Sequence, residues 1–574
     1  MFVRHAEHPK NISKNSPDRT RTRASATVFL SGVMVLTVST FLVKMIGLFY
    51  KIPMLRYLGS VGMGYFNAAY EWYAMLCILS TAGLPIAVSM LIARVRSGSE
   101  DQNAKRRAIR RIERLSMRIF VVFGSLGTLL LYLGAPVIAD LIDSPMTAGA
   151  LRAVAPTMLF SCISSAYRGY FQGFQNMMPT AISQMIEAIG KLVFGIAFAH
   201  YATARSMDIP TIAAYAMLGL SLGVALASGY LALCRLCTHQ EAQEKEKSTE
   251  SECSIIEERR DSREKTSLLR QLVVIAVPIT LSSAVLSVTK IVDMALILRR
   301  LQGIGYTTEQ ANSLYGIYTT MAVPIFNLIP SLLTSVSLAL IPTLTAQIAQ
   351  KDVLSQRQTL TASLRLTALL GLPASLALAL YSRPVVTLLF HPSEEDLRYA
   401  APMLTLLAVS VVFSGLITTT NAALQAFGYT RTPIWSMLIG ALVKIISAYY
   451  LISVPSLHIL GAPISTFLCN AVIVGINLSV MASGTQAFVG IKQTLLQPLW
   501  VTLPSVGLPA VAVSLLVARG WNEQLLFFAV VPVTLVLLGI ISICMGVVEK
   551  NELLAIPPLS RILCRGGRRR VSEK

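Results

Sequence analysis

Charge is what this sequence has least of. Only 14% of its 574 residues are Asp, Glu, Lys or Arg, against about 25% in an ordinary soluble domain, and that shortage excludes a protein solvated all round. The nucleotide-cradling pattern GxxxxGK[ST] is missing, so the chain carries no recognisable ATPase of its own. Strand-like alternation is missing too, which sets aside a β-barrel. Eight cysteines are scattered through the chain, with Cys77, Cys162, Cys469 and Cys544 inside apolar runs, and they make no disulfide framework. Cys234 and Cys237 form a lone CxxC without a second pair or a histidine cluster. No metal site and no cofactor is therefore expected.

What the chain has in abundance is apolar length. It is 54% hydrophobic, with a mean hydropathy of +0.62, and runs of about 20 apolar residues, enough for a helix to cross some 30 Å of hydrocarbon, recur almost throughout. Fourteen such runs fall between residues 27 and 547. The first is a membrane span rather than a cleaved signal, because a polar, basic stretch precedes it and it is too long for an h-region.

Orientation follows from Lys and Arg in short loops. The arm 1–26 is basic, as is the loop from Arg94 to Arg118, and Arg561, Arg565, Arg568, Arg569 and Arg570 crowd the tail. The segments "DLIDSPMTAGALR", "ATARSMD" and "HPSEEDLR" are poor in positive charge and are expected outside. Both termini are thus expected in the cytoplasm of a multi-pass plasma-membrane protein. The net charge of +20 is explained by this topology signal, with no nucleic acid as partner. Attraction of the tail "RGGRRR" to anionic membrane lipids is a secondary effect.

The densely charged, aromatic-free stretch 237–270 divides the protein, and the flanking halves resemble each other. Spans five and eleven each open on proline (Pro179, Pro433) and carry one lysine (Lys191, Lys444) at nearly the same distance from it. "VKMIG" with Lys44 is matched by "TKIVD" with Lys290, and "AVSMLI" by "SVSLALI", each about 250 residues later. Six spans, a linker and six spans in one orientation make a parallel repeat around a central site. The expected organisation is an arm 1–26, a first lobe 27–236, a linker 237–270, a second lobe 271–483, an appended helix pair 484–547 and a basic tail 548–574.

Lysines inside hydrocarbon are costly and usually face a watery interior. Lys44 and Lys51 lie seven residues apart, on one helical face, and Lys290 holds the place of Lys44 in the other lobe. Arg56 ends span one, and Arg299 and Arg300 end span seven. Together they predict a cavity of cations for a phosphate or pyrophosphate group, although Lys51, Arg56, Arg299 and Arg300 are near enough to the interface to snorkel. Asp293, one turn after Lys290, is the expected neutralising partner of that lysine. Glu187 and Lys191 have the spacing of a structural pair, and Arg168 that of an interfacial anchor. Glu71, in "NAAYEWYAML", has no local partner and is the leading candidate for ion or proton coupling, with Asp293 second.

"FLVKMIGLFYKIPMLRYLGSVGMGYFNAAY", "STAGLPIAVS", "RGYFQGFQNMMPTAISQMIE" and "NAALQAFGYTRTPIWSMLIGALVKII" resemble the polysaccharide-transport branch of the multidrug/oligosaccharidyl-lipid/polysaccharide flippase superfamily, in particular the stage V sporulation protein B and MurJ-type lipid II flippase group. The resemblance implies an all-α polytopic fold of fourteen transmembrane helices, two six-helix lobes in a V plus a C-terminal pair, as in MATE and MurJ proteins. It also implies alternating access that moves a lipid-linked sugar between leaflets, with the lipid tail beside spans thirteen and fourteen. Lys44 and Arg56 match basic positions of the MurJ pattern. Tyr50 stands where that pattern has a cavity arginine, and the basic residues of its second span are replaced here by Glu71.

The expected function is a non-enzymatic flippase for an undecaprenyl-linked cell-wall precursor, lipid II foremost, in a Gram-positive bacterium. Its partners would be the lipid-linked glycan, membrane lipids and the cell-wall synthesis machinery. Export of another lipid-linked glycan, or a MATE-type multidrug antiporter, is the alternative, and the paired lysines argue against a cationic drug. A membrane glycosyltransferase would need clustered acid/base groups at one face, for which only the solvated turn "HPSEEDLR" offers carboxylates.

Overall fold

The computed structural model describes residues 17–97, 102–244, 258–485, 492–521 and 523–545. Every regular element among them is helical. The first half comprises α1 (Pro17–Thr81), α2 (Leu84–Ser97), α3 (Gln102–Leu141), α4 (Ala148–Gly173), α5 (Met178–Ala204) and α6 (Ile209–Glu244). The second comprises α7 (Glu258–Gly303), α8 (Thr308–Ile317), a π-helical turn Tyr318–Ala322, α9 (Val323–Ala349), α10 (Val353–Leu380), α11 (Ser382–Phe390), α12 (Glu394–Ala426), α13 (Thr432–Ile452) and α14 (Gly461–Gly484). A final pair, α15 (Gln497–Ala518) and α16 (Glu523–Cys544), follows. Helix extends into both ends of the charged stretch 237–270, since α6 runs to Glu244 and α7 begins at Glu258. The basic tail lies outside the described residues.

Twelve segments among the described residues are long and apolar enough to cross a membrane, against fourteen hydropathy runs. The first two runs fall in one segment, Val38–Arg96, whose 59 residues at about 1.5 Å each far exceed a single crossing. The run in α7 is not among the twelve. The long α1 is two helices joined at Gly59, where φ is 65° and ψ is −178°. Only a residue without Cβ takes that backbone readily, so the glycine is what lets the chain leave one helix and enter the next.

Outward faces are apolar. On α3, Val122, Leu126, Leu133 and Val137 are all more than half exposed, a surface that water would penalise and lipid accepts. Inward faces mix large apolar side chains such as Phe66, Phe120 and Phe390 with small residues and hydroxyls, the latter expected where lipid supplies no hydrophobic drive between helices. In the first half, α5 and α6 approach until the backbones of Gly195 and Gly219 nearly touch. Tyr73 and Ser161 hydroxyls lie 2.7 Å apart, and those of Thr157 and Ser221 lie 2.6 Å apart. The second half is pinned alike, by Thr367 to Thr419 at 2.8 Å and by the Asn477 amide donating to Asn421 at 2.8 Å. The last pair packs on α10 and the turn that follows it, with Val501 against Leu369 and Phe527 against Tyr381.

The two halves meet along α1, α7 and α8. Near Gly59, the backbone of Gly64 packs on the carbonyl of Asn312, that of Gly316 on Ser60, and the Ser313 hydroxyl donates to Ser60 at 2.8 Å. About 28 Å along a helix from there, at about 1.5 Å per residue, Gly83 packs on the carbonyl of Ala276 and donates its N–H to Thr280 Oγ1 at 3.1 Å. Between these two contacts the halves part.

The turns that hold Lys351 and Ser393 flank α10 and α11, a helical path long enough to cross the bilayer once. A membrane-impermeant thiol reagent applied to intact cells, on a cysteine-free background, is expected to label a cysteine at Ser393 and to miss one at Lys351. Equal labelling of the two overturns the orientation deduced from loop charge.

Candidate functional site

A cavity of about 600 Å³ occupies the parting between the halves, within the range of small-molecule sites, about 300–1,000 Å³. Helical spacing assembles it. Lys44, Gly47 and Lys51 stand three and four residues apart on α1 and so share a face; after the break at Gly59 the chain returns to supply Tyr70 and Glu71. Lys191 enters from α5, Lys290 and Asp293 from α7, and Lys444 from α13. Five lysines thus line one cavity with two carboxylates, a formal excess of three positive charges.

Four of the five ammonium groups have distinct contacts. Lys44 Nζ donates to Ser331 Oγ at 2.5 Å, and Lys51 Nζ to the carbonyl of Thr319 at 2.6 Å; both acceptors belong to the opposite half. Thr319 lies in the π-helical turn Tyr318–Ala322, a rare local geometry in which carbonyls depart from the regular ladder. The same turn receives Asn67 Nδ2, which donates to Thr320 Oγ1 at 2.8 Å. Lys191 Nζ sits 4.6 Å from the ring centre of Tyr70, 5.0 Å from that of Tyr50 and 6.0 Å from that of Phe66. That aromatic cradle attracts a cation without neutralising it. Among the described cavity lysines, Lys444 is the one in a buried ion pair, 2.8 Å from Asp293 Oδ2.

The predicted site residues separate on this geometry. Lys44, Lys51, Lys290, Glu71 and Asp293 come together around the cavity. Arg56, Arg299 and Arg300 do not line it. Arg56 is exposed near Gly59, Arg299 pairs with Asp143 at 3.1 Å across the halves, and Arg300 lies 3.4 Å over the Tyr449 ring. Their helical positions place them a turn or more beyond Lys51 and Lys290, past the end of the parting. Asp293 pairs with Lys444 rather than with Lys290, because α13 packs against α7 and brings an ammonium closer than the helix's own turn does. Likewise Glu187 pairs with Arg168, at 2.9 Å, which leaves Lys191 to the aromatic rings. Lys191 and Lys444 were not among the predicted site residues. Their signal was present as single lysines at matching distances from Pro179 and Pro433.

Two helical halves around a charged central cavity, with apolar outer faces, define a multi-pass membrane transporter. Residues 29–347 match the polysaccharide biosynthesis protein family, more than half of the chain, and the protein belongs to that family. Residues 318–450 also match the MatE family. Among relatives in Bacillus subtilis (strain 168), stage V sporulation protein B is 25% identical over 94% of this chain and 99% of its own length. The lipid II flippase MurJ is 23% identical over 81% of this chain and 82% of its own. Among solved structures, a lipid II flippase MurJ in an inward closed conformation superposes with a TM-score of 0.65, at 14% identity over 89% of this chain and 98% of that one. An inward-facing multidrug resistance MATE family transporter of the MOP superfamily gives 0.55, at 14% identity over 75% and 96%. The fold is that of the MOP superfamily.

Removing one partner of a buried ion pair costs about 3–5 kcal/mol, because the other charge stays behind. Asp293→Asn is therefore expected to lower thermal stability in detergent markedly, and Asp293→Asn combined with Lys444→Met to recover most of the loss. A single variant as stable as the parent, followed by thermal unfolding, shows that the pair is not structural.

Proposed function

We propose that this protein is a flippase that turns an undecaprenyl-linked cell-wall precursor, lipid II foremost, from the inner to the outer leaflet by alternating access. The observation that carries the reading is the central cavity, into which both halves project lysines in excess of carboxylates. A pyrophosphate is the group such a cavity favours, since it can take several ammonium donors at once. Lys44 and Lys51 now reach neutral oxygens of the opposite half, which satisfy their hydrogen bonds but not their charge. An anion replaces those acceptors and in doing so loosens two of the links between the halves.

Movement then needs one interlobe contact to open at a time. Because the halves touch at Gly64–Asn312 on one side of the cavity and at Gly83–Ala276 on the other, releasing either exposes the cavity to one leaflet. The polyprenyl tail stays in lipid, along the exposed apolar faces of α15 and α16, while the polar head crosses between the lobes. The six-plus-six organisation with an appended pair, both termini in the cytoplasm, a Gram-positive cell and service to the cell-wall synthesis machinery, in growth or in sporulation, complete this reading. Glu71 is the coupling candidate, as Asp293 is engaged with Lys444.

The match of residues 318–450 to the MatE family favours a second reading, a multidrug antiporter. A cationic drug would meet a cavity of its own sign, whereas an anion would not, and so the flippase reading is preferred.

Lys44→Ala and Lys290→Ala are each expected to abolish complementation of a strain depleted of its other flippases while the protein still reaches the membrane, and Lys44→Arg to retain activity. In the failing strains, mass spectrometry should find a polyprenyl-pyrophosphate glycan accumulated at the inner leaflet. Full function of Lys44→Ala combined with Lys290→Ala overturns the cationic site. An unchanged lipid II pool beside an accumulated different glycan lipid overturns lipid II as cargo.

A further inference from the structure

A second chamber of about 410 Å³ opens off the central cavity within the first half, and shares with it Lys44, Gly47, Tyr70 and Lys191. Gly47 stands at the junction, with no atom within 4 Å of where a Cβ would sit, so the passage there is open. Beyond it the lining changes character. Thr40, Tyr73, Gln184, Arg168 and Glu187 surround the space, and its two charges are already paired, Arg168 to Glu187 at 2.9 Å with its Nε donating to Ser183 Oγ at 3.0 Å. The Oε1 of Gln184 is buried without a hydrogen-bond partner. Tyr70 and Tyr73 hold their ring centres 5.9 Å apart.

Among the described residues, the matching positions of the second half differ. At the offset that superposes Lys191 on Lys444, Gln184 falls on Met437 and Glu187 on Gly440, and Ile473 packs directly on Gly440. Where Gly47 leaves a passage, the corresponding residue three positions after Lys290 is Asp293, committed to Lys444. The polar chamber therefore belongs to one half of a repeated fold.

We propose that this side chamber seats a neutral sugar ring of the lipid-linked glycan, next to the pyrophosphate held by the central lysines; the proposal rests on the flippase reading. Tyrosine faces suit the apolar C–H face of a pyranose. A carboxamide with a free acceptor, a hydroxyl and a fixed planar ion pair suit its hydroxyl and acetamido groups, which such pockets must satisfy on burial. A second anion finds no free cation past the mouth, since Arg168 is occupied.

The test is isothermal titration of the full chain in lipid nanodiscs with two probes, a polyprenyl pyrophosphate and the same lipid bearing one N-acetylhexosamine. The glycosylated probe should bind more tightly than the bare one, and Gln184→Met and Thr40→Val should each lose roughly tenfold of that advantage, about one hydrogen bond. Bare-lipid affinity should stay unchanged in both variants, which also reports that they fold. If the sugar adds no affinity to the parent protein, or if both variants keep the whole advantage, or if they weaken the two probes equally, the sugar seat is wrong while the flippase reading stands. If the bare pyrophosphate lipid does not bind the parent protein, the flippase reading fails and takes the sugar seat with it.

Discussion

Everything in this structure turns on positive charge held where hydrocarbon should be. An isolated ammonium at the centre of a bilayer costs at least about 2.5 kcal/mol, and five lysines share one cavity here. Such a group is tolerable only if the helices around it part to admit water or an anion. The parting in turn has to be bounded, and it is, by close backbone contacts at Gly64 and Gly316 on one side and at Gly83 on the other. Glycine at those three places is what the charge demands, since a side chain there would drive the halves apart. The apolar outer faces, the small residues between α5 and α6 and the hydroxyl pairs inside each half serve to hold two rigid bodies against one another around that space.

The repeat makes the two bodies alike and the charges make them different. Lys191 and Lys444 occupy matching places, yet one rests among three aromatic rings and the other is neutralised by Asp293. A lysine over ring faces keeps its charge available, whereas one in a buried ion pair is committed to holding α13 against α7. The difference that decides this is twofold: Gly47 stands where the second half has Asp293, and Glu187, one turn before Lys191, is taken by Arg168. It leaves the first half with a cationic, open face and the second with a sealed one. On the proposed reading, the first half does most of the binding and the second supplies Lys290, Ser331 and the π-helical turn as a movable counterpart.

Much of this architecture was legible in the chain alone. Hydropathy placed the helices, and the repeat could be read from "VKMIG" and "TKIVD" or from the lysines that follow Pro179 and Pro433. Lys44, Lys51 and Lys290 could be placed on one cavity because i, i+7 spacing and repeat correspondence are both periodic facts. What periodicity does not carry is which neighbouring helix supplies the partner. Asp293 lies one turn from Lys290, and a local rule joins them, but α13 brings Lys444 closer and wins. Arg299 and Arg300 read as cavity residues because they are basic and end a span; their targets, Asp143 and Tyr449, lie on elements 150 residues or so away in either direction. The break within α1 was legible as the gap between the first two apolar runs, but hydropathy does not say which residue turns the chain, and only the backbone at Gly59 shows that.

On the flippase reading, the same charges bear on what drives the transport cycle. After an anion leaves, the cavity has to close again around lysines whose charge is no longer compensated. Lys44 and Lys51 find neutral acceptors across the interface, which makes the empty closed state attainable, though at an electrostatic cost that the anion had removed. An inside-negative potential acts on those charges at about 2.3 kcal/mol per charge for each 100 mV of the full field. It therefore favours the arrangement in which the lysines sit nearer the cytoplasmic side. A proton or sodium ion on Glu71 would add to that pull, since neutralising that carboxylate raises the positive excess on which the potential acts. On the flippase reading both routes act in the same direction on the empty protein, through the charges of lysines that bridge the surfaces that must move.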